Sequence, residues 1–354
     1  MAYTNIDDPS AHFQTALYTG NGGTQSITNN GNSDLQPDWV WTKSRSDSSL
    51  ALITDSTRGT GKRIYPSSTS AEESHSNMVT AFNSDGFSIG NHSAINTNNY
   101  NYVGWQWKAN GGTTTAFNES GSNPGGTRQT NTDAGFSIIA YTGTGSNGTI
   151  AHGLPSTPEF IIFKRRNAAQ FWCVWHQAIG DDYKLALHLP DGLDADGAFM
   201  ASTLPTSTNI TVGGASVNTN ANNGTYICYA FSPIQGYSKF GSYVGNGVAN
   251  NGPFVYLGFK PRFIMIKSTT NTGAHYMWDS KRSPFNGMDD YINAAEADAE
   301  GTNGILTIDA LSNGFKVMNT GANNGTNQAG TKYVYYVFAE NPFTTSTGIP
   351  TTAR

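Results

Sequence analysis

Three short sequence patterns recur in the same order three times along the 354-residue chain, and this repetition restricts its possible folds more than any other feature. The first pattern is Tyr-x-Gly-x-Gly, and the second is a Pro-x-aromatic start to an apolar run that ends in Lys. The third is a Tyr-led run with aromatic residues at alternate positions. Spacing this regular predicts one fold unit present three times. The copies begin at Tyr18, Tyr141 and Tyr243 for the first pattern, at Pro37, Pro158 and Pro261 for the second, and at Tyr102, Tyr226 and Tyr333 for the third.

The three patterns are typical of β-strands and the turns between them. Glycine is placed where a chain turns with positive φ, and proline begins a strand without costing a ladder hydrogen bond. The apolar run after each proline is long enough to be buried on both faces. We expect the lysine that ends each run to lie in solvent. These lysines are Lys43, Lys164 and Lys267.

Composition supports an all-β fold. Of the 354 residues 40 are glycine, and aromatic residues make up 12% against 13% for charged ones, so aromatic rings must build the cores. Gly, Asn, Ser and Thr favour turns and strands over long helices. We therefore predict three tandem antiparallel β-sandwich domains with a jelly-roll-like arrangement.

The domain boundaries follow from the positions of the patterns. The stretch between the first two units is rich in Gly, Thr and Asn without apolar periodicity, so it is predicted to be a linker or exposed loop about which the first unit swings. An N-terminal arm and a polar tail complete the chain. The predicted segments are the arm 1–12, the first unit 13–109, the linker 110–134, the second unit 135–233, the third unit 237–343 and the tail 344–354.

Charge and hydropathy exclude several classes of partner. The net charge is −5, so the sequence offers no basic stripe for phosphates, and we expect no nucleic-acid partner. No apolar run approaches the roughly 20 residues that a spanning helix needs, and the start of the chain is polar, so we expect no membrane insertion. Cys173 and Cys228 are too few for a disulfide scaffold or a four-ligand zinc site. We expect two buried reduced thiols, with a single bridge between them as the alternative.

Two segments look like ligand loops. The glycines of Gly143–Gly148 match a dinucleotide fingerprint, but no helix follows to hold a pyrophosphate. The carboxylates of Asp191–Gly197 resemble the opening of a calcium loop, but no glutamate closes it. The corresponding places in the other copies, Ala71–Glu73 and Glu296–Glu300, indicate an acidic exposed turn common to the fold. We therefore predict no cofactor and no metal.

Catalytic residues are not indicated. His176 and His188 with Asp181 and Asp182 are the nearest approach to a catalytic group, but no Ser or Cys nucleophile elbow accompanies them and the other copies do not repeat them. The chain is therefore not expected to be an enzyme.

Four aromatic residues after the central strands are the candidate ligand-binding residues. Sugars bind to aromatic faces flanked by amide and carboxylate groups, and the loops here supply both. The same four positions align between the second and third copies as a further strand, which favours core packing, and glycan binding is the alternative. These residues are Trp172, Trp175, Tyr276 and Trp278.

Nearly the whole chain resembles a domain frequent in proteins of marine tailed phages. The resemblance is carried by the three patterns and by five further motifs. In the first copy the turn Asn29–Asp34 lacks the His-Gly-Leu element. The motifs are Asp85–Gly90, Gly135–Ile138, His152–Leu154, Gly236–Tyr243 and Ser312–Val317.

The resemblance implies a virion structural or tail-fibre-like protein and brings no catalytic residues. We expect a tail fibre or tail-associated subunit, displayed on the virion surface after synthesis in the host cytoplasm, that attaches to a host surface glycan. It is expected to be a homotrimer that contacts other virion proteins through its arm or repeat faces. The alternatives are a capsid decoration or cement protein and a glycan-cleaving tailspike, the last using Asp181, Asp182 and Asp194.

Overall fold

The computed structural model describes residues 3–270, 273–302, 304–319 and 325–350, and within them strands dominate. The helical segments are short: α1 at Ser93–Asn96 and 3₁₀ turns at Pro9–Ala11, Gln177–Ile179 and Gly197–Met200. No described helix is long and apolar enough to cross a bilayer. The strands of the first unit are β1 Phe13–Thr19, β2 Gln25–Ile27, β3 Trp39–Ser44, β4 Leu52–Asp55, β5 Lys62–Arg63, β6 Glu73–Ser74, β7 Val79–Phe82, β8 Phe87–Ile89 and β9 Asn101–Trp107.

The second and third units repeat this series of strands. Those from the first linker residue to the end of the second unit are β10 Thr115–Phe117, β11 Gly126–Asn131, β12 Phe136–Thr142, β13 Gly148–Ala151, β14 Phe160–Arg165, β15 Cys173–His176, β16 Tyr183–Ala186, β17 Asp194–Ala195, β18 Asn209–Val212 and β19 Thr225–Phe231. Those of the third unit are β20 Ser238–Val244, β21 Phe254–Tyr256, β22 Phe259–Ser268, β23 Tyr276–Asp279, β24 Asp290–Asn293, β25 Gly301–Thr302, β26 Ile308–Leu311, β27 Gly314–Val317 and β28 Lys332–Pro342.

The second and third units each contain two antiparallel sheets, the first unit contains a third, β5-β6, and the strand order of the larger sheet is shared by all three units. In each unit the last strand lies between two others. On one side it pairs with the strand that carries the first tyrosine pattern, and on the other with the strand of the proline pattern. The orders are β1-β9-β3-β4, β12-β19-β14-β15-β16-β17 and β20-β28-β22-β23-β24-β25. The smaller sheets are β2-β8-β7, β13-β18 and β21-β27-β26. The all-β prediction is confirmed, and the matched patterns occupy equivalent places.

Proline differs in position in the third unit. Pro37 and Pro158 lie just before strands β3 and β14, whereas Pro261 lies within β22. The pairing of β22 with β28 shifts register on both sides of Pro261. A proline cannot donate to the ladder, so a bulge is where a strand interior tolerates it.

The tyrosines that define two of the patterns stack on each other in every unit. The rings of Tyr18 and Tyr102 lie 5.1 Å apart, those of Tyr141 and Tyr226 also 5.1 Å, and those of Tyr243 and Tyr333 5.2 Å. The second glycine of each first pattern has a positive φ, as predicted. These glycines are Gly22 at 70°, Gly145 at 75° and Gly247 at 69°.

A buried asparagine holds each of these glycine turns, and the sequence analysis did not detect it. The side-chain oxygen accepts a hydrogen bond from the backbone N–H after the first glycine, at 2.8 to 3.0 Å. Each asparagine is fully buried and stands six residues before the tyrosine of the third pattern, a spacing visible in the sequence. The three are Asn96, Asn220 and Asn327.

The interpretation of residues 110–134 as a linker or loop is wrong. Strands β10 and β11 form a hairpin that extends the large sheet of the second unit, because β11 pairs with β12. The side chain of Gln129, buried in β11, donates to the hydroxyls of Ser56 and Thr57 in the first unit at 2.7 and 2.6 Å. Asp38 accepts from the N–H groups of Gly111 and Gly112. These bonds fix the first unit to the second, so it has no free linker about which to swing.

One hydrophobic core runs through all three units, and a second, smaller cluster fills the interior of the first sandwich. The shared core begins at Ile6 in the arm and ends at Ala339 in β28. The three units therefore share one interior, and their independence as domains stays a prediction.

The arm packs on the third unit of its own chain. Tyr3 donates to the carbonyl of Gly258 at 2.6 Å, Thr4 donates to the carbonyl of Gln235 at 2.7 Å, and Asp7 accepts from the backbone N–H of Ser346 in the tail at 2.6 Å. The first two residues of the arm and the last four of the tail lie outside the described residues.

Candidate functional site

The predicted ligand-binding tryptophans are buried, and of the three only Trp175 borders one of the clefts found among the described residues, a cleft of about 360 Å³. Each is at most 2% exposed, and each indole N–H already donates to a backbone carbonyl. Tyr276 is partly buried against Trp278 and Tyr291. We place no ligand on these four residues. The bonds run from Trp172 to Tyr65 at 2.8 Å, from Trp175 to Gly180 at 2.8 Å and from Trp278 to Leu306 at 3.3 Å.

Two of the aspartates that resemble a calcium loop, Asp194 and Asp196, are paired with a lysine. The Nζ of Lys184 lies 2.7 Å from Asp194 and 2.5 Å from Asp196. Burial disfavours the charged lysine, but these carboxylates outweigh burial and raise its pKa. Among the residues that the structure describes, no three His, Cys, Asp or Glu side chains are close enough to hold a metal ion.

The two cysteines are free and fully buried, which confirms the reduced-thiol interpretation. Both lie opposite Phe163, on the two strands that flank β14. Burial raises the pKa of the Cys173 thiol to about 12, so the reactive thiolate is scarce.

The lysines that end the apolar runs are buried, so the prediction that they lie in solvent is wrong. Each is at most 1% exposed, and each Nζ donates to a backbone carbonyl of a neighbouring unit. These hydrogen bonds offset part of the cost of removing an ammonium group from water. The bonds run from Lys43 to Ala297 at 3.0 Å, from Lys164 to Thr69 at 2.7 Å and from Lys267 to Pro190 at 3.0 Å.

These three bonds close the units into a ring. The first unit donates to the third, the second to the first, and the third to the second. The three accepting residues occupy equivalent positions in their units. In each case the residue three positions later donates its backbone N–H to a carbonyl of the unit that supplied the lysine. Those returning bonds run from Glu72 to Arg166, from Leu193 to Thr269 and from Glu300 to Arg45. The fold thus has a threefold arrangement within one chain.

The buried lysines predict a stability that rises with pH between about 8 and 9. Burial lowers the pKa of each from 10.5 to about 8, so in this window the unfolded chain binds more protons than the folded one. The melting temperature should therefore rise from pH 8 toward pH 9, while above pH 9 the buried cysteines and tyrosines, whose pKa values burial raises, act in the opposite direction. The rise in melting temperature should be smaller in Lys267→Met. It should be unchanged in Lys316→Met, because Lys316 is a surface lysine that bonds to Asn251. Equal slopes in both variants and the wild type would contradict this.

The interface between the first and second units holds a buried ion network. Arg58 and Asp55 have fully buried side chains, and their Nε and Oδ2 lie 2.5 Å apart. Arg58 also contacts Glu72 at 3.1 Å, and Glu72 binds Arg166 of the second unit at 2.9 Å. The hydroxyl of Tyr229, also from the second unit, donates to Asp55 at 2.7 Å. Glu72 is thus an interface residue and not part of an exposed acidic turn.

The interface between the third and first units repeats this network residue for residue. Arg282 lies 2.5 Å from Asp279 and 2.9 Å from Glu300, and Glu300 binds Arg45 of the first unit at 2.6 Å. The indole N–H of Trp105 donates to Asp279 at 3.0 Å, in the place of the Tyr229 hydroxyl. The signal in the sequence is Asp-x-x-Arg, which recurs at Asp55 and Asp279.

The interface between the second and third units holds neutral side chains at the corresponding positions. His176 and Ile179 stand where the other two interfaces have Asp and Arg, Leu193 stands where they have Glu, and Thr269 replaces the arginine of the neighbouring unit. Tyr336 packs against His176 with ring centroids 5.3 Å apart. Burial lowers the pKa of His176 to about 3, which keeps its ring neutral.

Six aromatic rings from the three units meet where the ring closes. Phe231 of the second unit lies 5.9 Å from Trp39 and 5.6 Å from Phe338, and Trp107 lies 5.6 Å from Phe338. The enclosed space at this centre is about 10 Å³ and apolar, at the lower limit of the roughly 10–15 Å³ that one water needs. The six are Trp39, Phe160, Phe263, Trp107, Phe231 and Phe338.

The fold and its interfaces define a single-chain ring of three β-sandwich units. The chain belongs to the family described as Domain of unknown function (DUF7483), whose model matches residues 8–342. No curated protein matches the chain. Among solved structures, the crystal structure of the STIV MCP matches with 9% identity and a TM-score of 0.16, covering 67% of this chain and 94% of that one. A similarity this weak carries no argument.

Proposed function

We propose that the chain is a structural protein of a bacteriophage virion, acting as a tail fibre or tail-associated subunit in host attachment through glycan binding. The observation that supports this most is the closure of three like units into one ring inside a single chain. Virion appendages are organised around rotational axes, and a ring of like units is suited to such a position. The resemblance to proteins of marine tailed phages points to the same class.

The packing of the ring fits a particle that must persist outside the cell. Every unit interface is closed by a buried lysine, and the centre is filled by aromatic rings. Stability here comes from burial and from hydrogen bonds within the chain, with both cysteines free. A homotrimer remains our proposed assembly state, and light scattering of the purified chain tests it.

The threefold arrangement also favours a second candidate, a capsid decoration protein. A single copy with three like faces fits a local threefold position of an icosahedral shell without further symmetry. Gold-labelled antibodies against the chain, applied to purified particles of the phage that encodes it, separate the candidates. Label on the tail supports the first, label on the shell supports the second, and a chain missing from the particle by mass spectrometry overturns both.

A further inference from the structure

The edge strand β21 of the third unit presents two aromatic side chains to solvent. Phe254 and Tyr256 are 48% and 52% exposed, while Val255 between them faces the sandwich interior. Large exposed rings at alternate positions of one short strand are unusual for a surface that serves packing alone.

The other two units show that the fold does not require aromatic residues there. Strand pairing makes the positions equivalent, because Val255 pairs with Phe315 as Ile150 pairs with Ile210 and Ile27 pairs with Phe87. In the second unit the flanking positions hold Thr149 and Ala151, and in the first unit they hold Ser26 and Thr28. The aromatic pair is therefore specific to the third unit.

Tyr256 borders a cleft of about 410 Å³ between β21, the N-terminal arm and the connection from the second to the third unit. This volume lies in the range of about 300–1,000 Å³ that is usual for small-ligand sites. Tyr3 of the arm also lines the cleft, where its hydroxyl is bonded to the carbonyl of Gly258 and lies next to the hydroxyl of Tyr256. Gly258 has a φ of 84°, and a Cβ at this position would collide with the Tyr3 hydroxyl. The position of Tyr3 therefore depends on glycine.

Polar groups line the same cleft. The Nζ of Lys239 donates to the backbone carbonyl of Tyr256 at 2.8 Å and lies over one face of the Tyr256 ring, 5.4 Å from its centre, so a ligand has the other face available. An ammonium group has three N–H donors, so further donors can reach a ligand beside the ring. The exposed side-chain amide of Gln235 adds donors and an acceptor.

We propose that this cleft binds a saccharide unit of the host surface, with its C–H face on Tyr256 and a hydroxyl group on Lys239. An exposed aromatic face beside hydrogen-bonding groups in a cleft of this volume is the combination that a sugar ring requires. This inference rests on the proposed function, because it names the site through which attachment occurs. It replaces the buried tryptophans with residues that a ligand can reach.

The test is retention on an array of bacterial O-antigen and capsular polysaccharides. The wild-type chain should be retained by at least one polysaccharide, and Tyr256→Ala should weaken retention by about tenfold or more, the change expected from losing about 1.4 kcal/mol of binding. Phe254→Ala is the matched control, because it removes an equally exposed ring from the same strand outside the cleft. It should bind as the wild type does, and Tyr256→Phe should keep most of the retention. Thermal melting of each variant establishes that it is folded.

Two negative results separate the cleft from the wider proposal. If the wild type is retained and Tyr256→Ala is retained equally, or if Phe254→Ala loses as much, the cleft assignment is wrong while glycan attachment stands. If no polysaccharide retains the wild type, glycan attachment itself is wrong and the cleft assignment with it.

Discussion

Replacing Arg58 with isoleucine is expected to lower the free energy of unfolding by about 3–5 kcal/mol, the range measured when one partner of a buried ion pair is removed. The change leaves the carboxylate of Asp55 fully buried without its guanidinium partner and removes a contact to Glu72. Urea denaturation followed by tryptophan fluorescence measures the loss. The control variant is Arg165→Ile. Arg165 stands next to Arg166 in the chain, but its side chain bonds to the exposed Asn167. Its free energy of unfolding should therefore stay within about 0.5 kcal/mol of the wild type.

The neutral interface between the second and third units indicates which substitutions should restore the stability that Arg58→Ile loses. Tyr229 and Tyr336 are equivalent, and between the second and third units Tyr336 packs against His176, the histidine of the set His, Ile, Leu and Thr. Copying the set into the first interface should recover most of the stability, because buried ion pairs can be exchanged for packed apolar groups at little cost. The substitutions are Asp55→His, Arg58→Ile, Glu72→Leu and Arg166→Thr. A quadruple variant as unstable as Arg58→Ile would show that the two interfaces are not interchangeable.

The strands could be predicted from the sequence because their signals are local. Tyr-x-Gly-x-Gly, the proline before an apolar run and alternating aromatics each act over fewer than ten residues, and all three fall at equivalent places in the sheets. Repetition then predicts that one strand order serves all three units, and the structure shows which order it is.

Burial of the lysines could not be predicted, because the groups that cover them come from distant parts of the chain. Lys43 is bonded to Ala297, 254 positions away, and Lys164 to Thr69, 95 positions away. A lysine at the end of an apolar run ordinarily reaches solvent. Here each Nζ is held between a carbonyl of its own unit and a carbonyl of a neighbouring unit, and the second partner lies too far along the chain to be inferred.

The cleft could not be predicted from local patterns, because its lining comes from the arm, from the connection between the second and third units and from β21. The sequence indicates Trp172, Trp175 and Trp278 as ligand-binding candidates because they are large aromatic residues. Large aromatic residues are as common in cores as in binding sites, and these three are buried. Comparing copies with one another would have pointed elsewhere. Tyr256 stands where the other units have Ala151 and Thr28, and an aromatic residue found in one of three copies is not explained by the shared fold.

Truncating Phe231 to alanine is expected to cost about 3–5 kcal/mol and to lower the melting of the whole chain. Its ring contacts Phe136 at 4.5 Å and Phe160 at 5.2 Å within its own unit, and Phe338 at 5.6 Å in the third. Because these contacts belong to a core shared by all three units, a cavity at this position weakens the ring as one body.

Differential scanning calorimetry distinguishes this outcome from local damage. A shared core predicts one transition that moves to lower temperature as a whole, while independent domains would show one displaced transition beside two that melt as in the wild type. Phe285→Ala, which removes a ring that is 80% exposed, should leave the transition in place. Separate transitions in the Phe231→Ala variant would mean that the buried lysines and the aromatic centre hold together three domains that are each stable alone.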